Sequence, residues 1–447
     1  MAANDSLEGR SGAATAAPVP EQRDEPAEEI GTFHAFRFRD FRILWLGTAF
    51  SSGAQWIQNT TMGWLVFDLT GSGKALGLVG FIGALPSPFV APFSGLASDR
   101  INRNVVVAIS QAALFINALL LAGAIALDVI QLWHIVLFAL MAGILNAFNM
   151  PARQSLVFDV VPRNSVSNAV ALSTLAFSTM RAVGPAVGGA LIVFFGPANN
   201  FLLQALLYLS VMVTVLMIKL PGKPAGAARK RDFLGDLVEG YQWVLMDGAA
   251  RVLLLMMIIY PLLIIPLHNA LLPIFARDVF DVSASGLGVM LSALGLGSIL
   301  GALLTASLNR VERRGLLQIG ALFILGSCQA VFSLVAHLTE SLWLSVGFLV
   351  LAGVGSAIFN TTNQTVLQLL APDHLRGRIT SVLQVQPICM AIGILLTGAA
   401  ADIWGAAAVG VTISLAAFAV GVLVLVFSPR MRKLNMRELG SRQASRS

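Results

Sequence analysis

The sequence predicts an all-α membrane protein built from two related halves of six transmembrane helices each. Hydrophobic residues make up 56% of the 447 residues and charged residues only 12%, whereas about 25% of a soluble domain is charged. The mean hydropathy is +0.79. Apolar segments of about 20 residues, enough for a helix to cross the hydrocarbon core, follow one another from Phe41 onward. A bilayer is therefore the expected solvent for most of the surface.

An internal repeat predicts the division into halves. The short charged turn Gly95–Asn104 recurs 210 residues later at Asn309–Arg314. The stretch Gln154–Pro162 (QSLVFDVVP) matches Gln364–Pro372 (QTVLQLLAP) at the same offset. Two matches at one offset indicate two copies of one unit.

Twelve apolar segments are expected to form membrane helices. They lie at 41–67, 74–97, 105–127, 132–149, 166–195 and 200–218 in the first half, and at 252–275, 286–308, 315–336, 341–363, 379–401 and 406–427 in the second. The two six-helix halves then occupy residues 36–219 and 252–428.

Three segments are expected to lie outside the membrane core. Residues 1–35 lack apolar periodicity and predict a disordered cytoplasmic tail, and residues 429–447 form a basic cytoplasmic tail. In the linker, 220–251, apolar residues recur at helical spacing. This spacing predicts an amphipathic helix on the membrane surface, although a plain solvated linker fits as well.

The distribution of charge predicts the orientation. With the N-terminus in the cytoplasm, 26 of the 29 basic residues fall on the inner side and two, Lys74 and Arg277, on the outer side. This bias indicates an even number of helices with both termini in the cytoplasm, in the plasma (inner) membrane. The basic balance therefore indicates contact with anionic lipids and no nucleic-acid partner.

No enzyme chemistry is predicted. The sequence contains no phosphate loop, no HExxH and no Gly-x-Ser-x-Gly, so no catalytic residue is assigned. The two cysteines, Cys328 and Cys389, lie in apolar segments and are interpreted as packed thiols rather than a disulfide or a metal site. No metal and no cofactor is expected.

Twelve segments in two repeats, together with the charged turn, resemble the major facilitator superfamily of secondary transporters. Within it, the chain most resembles the drug and siderophore exporter branch. The resemblance rests on the charged turn, on Phe41–Ser72, on Pro151–Leu172 and on RAVGPAVGGAL at Arg181–Leu191, which is similar to the antiporter signature of helix 5.

The resemblance implies a secondary active transporter that exports small amphiphilic molecules by alternating access, driven by protons. Its partners would be a small-molecule substrate, protons and membrane lipids. Two alternatives stay open. One is an uncoupled facilitator or a lysophospholipid-type lipid transporter of the same fold, and the other is a receptor or scaffold that transports nothing.

The charged turn is the candidate gating loop. Its candidate residues are Gly95, Asp99, Arg100 and Arg103 in the first copy and Arg310 and Arg313 in the second. A carboxylate beside two guanidinium groups can join helix ends by charge-assisted hydrogen bonds. The resemblance implies that this latch stabilises the outward-facing state. Asn309 stands where the first copy has Asp99, so the two gates are expected to be unequal.

The fifth segment carries a second candidate set. Small residues and a proline, which let helices approach closely and bend, are expected at the junction of the halves: Gly184, Pro185, Gly188 and Gly189. Arg181 is the one basic residue inside an apolar segment. It is expected either to bind an anionic or carbonyl-bearing part of the substrate or to donate to carbonyls of neighbouring helices.

Polar residues within the apolar segments are the candidate lining of a central cavity. They are Ser52, Gln55, Asn59, Asn146, Tyr260, His268, Asn269, Asn360, Asn363 and Gln384. Pro261 and Pro266 predict a broken seventh helix beside this cavity. All 23 acidic residues fall in tails, loops or the last residues of helices, so Asp68, Asp402 and His268 are the available proton carriers.

Overall fold

The computed structural model describes residues 33–90, 93–94, 101–218, 242, 244–308, 311–370 and 386–435. The helices are α1 Arg39–Thr70, α2 Gly73–Ala84, α3 Arg103–Ala126, α4 Leu132–Val160, α5 Val166–Leu216, α6 Gly248–Ile259, α7 Ala284–Ser307, α8 Arg314–Thr339, α9 Leu342–Leu370, α10 Gln386–Trp404 and α11 Ala406–Phe427. The described residues form no β-strand.

The helices are those of a multi-pass membrane protein. Ten stretches of the described chain are long and apolar enough to cross a bilayer. One of them contains α5, which bends at Gly196, where φ is 78° and ψ is 168°, a conformation that glycine adopts readily. The all-helical membrane fold is thus confirmed. The number twelve stays a prediction. Helix α1 has the length, 32 residues, but is not among the ten apolar stretches, and the stretch Arg163–Leu216 covers two predicted helices, 166–195 and 200–218.

The two ends of the bundle are named here after a residue that lies at each of them, Gly71 and Arg103. The Gly71 end holds the turns at Gly71, Gly196 and Gly405, and the Arg103 end holds Arg103 and Arg313. In the first half α1 and α3 pack against α5, and in the second half α8 packs against α9 and α11. One hydrophobic cluster nevertheless contains buried residues of both halves, among them Val66 and Phe275, so the core continues across the junction.

The halves meet along two equivalent pairs of helices, α5 with α7 and α2 with α10. The 210-residue offset carries α2 onto α7 and the first arm of α5, 166–195, onto α10. At both contacts backbone lies against backbone. A Cβ added to Gly288 would lie 2.5 Å from the carbonyl oxygen of Pro185, and one added to Gly77 would lie 2.9 Å from that of Ile394. Glycine is required for this approach.

Helix α4 corrects the prediction that the fourth helix ends at residue 149. It continues through Pro151 to Val160, because Ala152, Leu156 and Val157 are buried on its inner face. Arg153, expected in a cytoplasmic loop, therefore lies in a helix and is only 5% exposed.

The seventh helix was predicted to be broken at Pro261 and Pro266. In the structure it is distorted but continuous. After α6 the chain stays helical to Val279, with π-helical turns at Tyr260–Ile264, Leu267–Leu271 and Phe275–Val279. Prolines cannot donate a backbone hydrogen bond, and the wider turns accommodate the missing donors.

The segments expected outside the membrane core are partly packed. The backbone N–H of Ala35 donates to Oδ1 of Asn168 at 2.9 Å, and Met431 in the expected C-terminal tail is buried. Helix α6 already begins at Gly248, within the expected linker, where the Asp247 side chain caps it. Most of the linker, including the greater part of the expected amphipathic helix, lies outside the described residues.

Candidate functional site

Arg181 and Trp56 lie against each other near mid-depth. Arg181 is 15 residues into α5, and Trp56 lies 14 residues before the end of α1. The guanidinium carbon of Arg181 is 5.7 Å from the centre of the Trp56 ring, a cation–π contact. Phe177 meets the same ring edge-on at 6.2 Å. Two neighbouring helices of the first half thus present one cation within an aromatic wall.

Gly184 gives the Trp56 side chain its room. A Cβ at residue 184 would lie 2.7 Å from Cβ of Trp56, and one at Gly188 would lie 3.2 Å from Cα of Ile57. Both glycines therefore face α1, in the same half. Gly189 and Pro185 face α7 instead, at the junction of the halves. The glycine motif thus serves two different helix contacts.

His268 forms a second polar contact, in the second half. Its Nε2 lies 2.8 Å from Nε2 of Gln329, a fully buried side chain of α8. The Arg181–Trp56 contact of the first half and the His268–Gln329 contact of the second half are here called the central cluster.

Tyr260 extends the polar surface in the second half. Its hydroxyl lies 2.5 Å from Oγ of Ser356, and its ring stacks on Phe359 with centres 5.2 Å apart. All three residues are buried. The Tyr260–Ser356 pair therefore also packs the turn that follows α6 against α9.

Several predicted lining residues bond within their own helix. The side-chain amides of Asn146, Asn269 and Asn360 donate to the carbonyl four residues earlier. Asn363 donates to the Leu253 carbonyl at 3.2 Å and thereby joins α9 to α6. These four residues are not part of the central cluster.

The remaining predicted lining residues take different environments. Ser52 is fully buried and its hydroxyl has no hydrogen-bond partner among the described residues, Gln55 is half-buried, and Asn59 is exposed. Gln384 lies outside the described residues.

Buried polar networks of the first half were missed from the sequence. Oε1 of Gln58 accepts hydrogen bonds from Gln204 and from the Tyr208 hydroxyl. Asn200 donates to Thr61 at 2.9 Å and to the Gly188 carbonyl at 2.8 Å. The available signal was the presence of Asn and Gln inside apolar segments, but it does not tell which pairs meet.

Arg153 is a buried cation, which the sequence interpretation placed in a loop. Its Nη2 lies 3.4 Å from Sδ of Met150, and its Nη1 is buried with no hydrogen-bond partner in the part of the chain that the structure describes. Such a group is expensive to bury without a partner.

Of the predicted gating residues, the structure describes Arg103 and Arg313. Nη1 of Arg103 contacts both carboxylate oxygens of Asp159 at 2.8 Å, which joins α3 to α4 within the first half. Arg313 is exposed. Gly95, Asp99, Arg100 and Arg310 lie outside the described residues. Asp159 was missed, although it lies in the repeated stretch, where Leu369 takes its place in the second copy.

At the Gly71 end, two carboxylates connect the halves. Asp402 of α10 accepts hydrogen bonds from the Ser72 hydroxyl at 2.7 Å and from the backbone N–H groups of Gly73 at 2.5 Å and Lys74 at 2.9 Å. It thus caps the N-terminus of α2, where an anion is favoured. Asp68, the other carboxylate, pairs with Arg277.

A partly open cavity of about 800 Å³ adjoins this connection. Its polar lining includes Asp278, His337 and Asp402, and Trp404 lies at its wall. The described residues contain no group of three His, Cys, Asp or Glu side chains placed to hold a metal ion.

The fold is a helical membrane bundle in which each half contains a buried or half-buried polar contact. Over residues 30–446 the chain matches the MFS_3 family, described as transmembrane secretion effector, and it belongs to this family of the major facilitator superfamily.

Named relatives share almost the whole length. The chain is 28% identical to the multidrug efflux pump Tap of Mycolicibacterium fortuitum over 405 residues, 88% of this chain and 97% of Tap. It is 23% identical to the staphyloferrin A transporter of Staphylococcus aureus, covering 86% of this chain and 94% of that protein. The solved structure of a mutant of the nucleoside transporter NupG is similar in fold, with a TM-score of 0.72 at 15% identity and coverage of 87% of this chain and 100% of that one.

Proposed function

We propose that this protein exports small amphiphilic molecules, drug- or siderophore-like, by alternating access. The observation that carries the proposal is the central cluster, which consists of one polar contact in the first half and one in the second. Transporters of this kind bind substrate near the midplane, at the interface of their repeats. The names of the relatives, a multidrug efflux pump and a siderophore transporter, support export of such compounds.

The connections at the Gly71 end support alternating access. Asp402 and the Asp68–Arg277 pair hold the halves together there, while the α5–α7 and α2–α10 contacts are made by small residues. Rocking the halves would separate the polar connections and leave the glycine contacts in place. The Asp99 loop at the Arg103 end is proposed as the opposing latch, on sequence grounds.

We assign the Gly71 end to the outside and both termini to the cytoplasm, in the plasma (inner) membrane. The charge bias supports this orientation even with Arg153 removed from the loops, because 25 basic residues remain on one side and two on the other. Membrane lipids and a small-molecule substrate are then the partners.

Proton coupling is part of the proposal, and the alternative is an uncoupled facilitator or a lysophospholipid-type transporter. The alternative is favoured by the surroundings of the three available carriers. Asp68 is paired with Arg277, Asp402 caps α2, and His268 is bonded to Gln329. None of these residues is a free carboxylate in the membrane interior.

Transport into inside-out vesicles tests both alternatives. Uptake of a cationic dye, a neutral macrolide and an amphiphilic carboxylate would be followed with and without an imposed pH gradient, against vesicles that lack the protein. Protein-dependent uptake that rises with the gradient supports a proton-coupled exporter. Uptake that ignores the gradient supports the facilitator, and no protein-dependent uptake of any compound refutes export.

A further inference from the structure

The strongest unassigned feature is a set of donors without acceptors at Arg181. Among the described residues this half-buried guanidinium has no ion pair and no hydrogen bond, and the face of the Trp56 ring lies 5.7 Å away. A guanidinium carries five N–H donors. An arginine at mid-depth of a membrane protein is costly unless something offsets its charge.

A second donor lies within the same contact. Nε1 of Trp56 is buried and has no hydrogen-bond partner among the described residues. An indole nitrogen only donates, and a buried one usually has a partner. Hence a charged donor and a neutral donor lie side by side, and neither has an acceptor in the described part of the chain.

The charges around Arg181 favour an anionic ligand. The acidic residues all lie in tails, loops or helix ends, so the sequence offers no carboxylate to neutralise Arg181 at this depth. A cationic compound would meet the like charge of Arg181, which is unfavourable at short range. An anion would gain a charge-assisted, two-pronged hydrogen bond from the planar guanidinium.

We propose that Arg181 and Trp56 bind the carboxylate group of an amphiphilic substrate whose apolar body lies against Trp56 and Phe177. The edge-on contact of Phe177 with Trp56 fixes the apolar wall, and Gly184 lets the indole lie this close to α5. This inference rests on the proposed transport function and names the substrate class for the same cluster.

Three probes with one apolar body and different head groups test the charge preference. Naphthaleneacetate is an anion, naphthaleneacetamide is neutral and naphthylethylamine is a cation. Binding of each would be measured by equilibrium titration of the purified full-length protein in phosphatidylcholine nanodiscs, whose lipid carries no net charge. The acetate is expected to bind at least about tenfold more tightly than the amide, because charge-assisted hydrogen bonds exceed neutral ones. Equal binding of acetate and amide, or tightest binding of the amine, overturns the proposal.

Substitutions of Arg181 and Trp56 test whether these two residues cause the preference for the acetate over the amide. Arg181→Gln removes the charge and is expected to abolish the acetate-over-amide ratio, because acetate binding loses more than amide binding. Arg181→Lys keeps the charge without the planar fork and should reduce the ratio several-fold. Trp56→Phe keeps the aromatic wall without the N–H and should reduce it as well. Arg163→Gln, in an exposed loop, is the matched control and should leave the ratio unchanged.

The outcomes distinguish failure of the proposed binding site from failure of the proposed transport function. A ratio that survives Arg181→Gln overturns the site even if all three probes are transported. If Arg181→Gln does not accumulate, the ratio in Trp56→Phe decides, and an unchanged ratio there counts against the site. An acetate preference lost in the variants, without protein-dependent uptake in vesicles, would support the site and refute the transport function.

Discussion

The carboxylate of Asp402, near the end of α10, accepts a hydrogen bond from the backbone N–H of Gly73, at the start of α2, with an N···O distance of 2.5 Å. The two residues belong to different halves and are 329 positions apart. A helix N-terminus normally takes its cap from the residue that precedes it. Here Ser72 also caps α2 locally, and the second half adds a charged cap. The cap therefore stabilises one arrangement of the halves.

We expect Asp402→Ala to widen the Gly71 end. Loss of a cap costs about 0.5–2 kcal/mol, so the population of the arrangement it holds should fall by a few-fold up to about thirtyfold. Distances between spin labels at Val129 and Ser283 would report it, with Cys328 and Cys389 replaced. Asp128→Asn is the control, because it removes a carboxylate at the same end from a left-handed position, φ 57°, that Asn tolerates. Identical distance distributions for wild type and Asp402→Ala would refute the role of the cap.

The Asp68–Arg277 pair should matter less than the cap. Both side chains are 45% exposed, and exposed ion pairs contribute about 0–1 kcal/mol. Arg277→Ala is thus expected to shift the same label distances less than Asp402→Ala, and more weakly still at high salt. The exchange Asp68→Arg with Arg277→Asp should restore part of the effect. A larger and salt-independent shift for Arg277→Ala would assign the main contribution to its contact with Trp64.

Gly288→Ala should destabilise the junction of the halves. The new methyl group would lie 2.5 Å from the Pro185 carbonyl oxygen and 3.2 Å from Cα of Ala186. Such overpacking costs about 1–3 kcal/mol, which should lower the melting temperature of the purified protein. Gly320→Ala in α8 is the matched control, because a Cβ there meets nothing within 4 Å. Equal melting temperatures for the two variants would show that the helices separate without cost.

Single cysteines test the proposed orientation. In a background without Cys328 and Cys389, cysteines at Val129 and Ser283 should react with an impermeant reagent in intact cells. A cysteine at Asn164, exposed at the Arg103 end, should react only after the membrane is opened. Labelling of Asn164 in intact cells would place the Arg103 end outside and reverse the assignment.

Composition and repetition were enough to predict the membrane fold, because both are properties of long segments. Helix ends were harder to predict. Hydropathy falls near residue 149, yet α4 continues to Val160 because its backbone hydrogen bonds and its packing do not depend on the bilayer. Arg153 was misplaced for this reason.

Some of the candidate site could likewise be predicted from the sequence, and some could not. Arg181 could be singled out because a lone charge in an apolar segment is visible in the sequence. Its neighbour Trp56 comes from a distant segment, and nothing local indicates which face of α1 this residue occupies. The same holds for the cap that Asp402 provides. The amides of three predicted lining residues looked equally polar in the sequence, but they are satisfied by their own helices: Asn146, Asn269 and Asn360.

The glycine contacts between α5 and α7 have a consequence for how sensitive the protein is to small changes. Where backbone lies against backbone, no side-chain ridges have to pass over one another when the halves turn. Such a contact favours neither end of the movement strongly. Under the alternating access proposed above, a few polar groups at the two ends of the bundle would decide the balance between conformations, so a single substitution, a bound ligand or a change of salt would shift it.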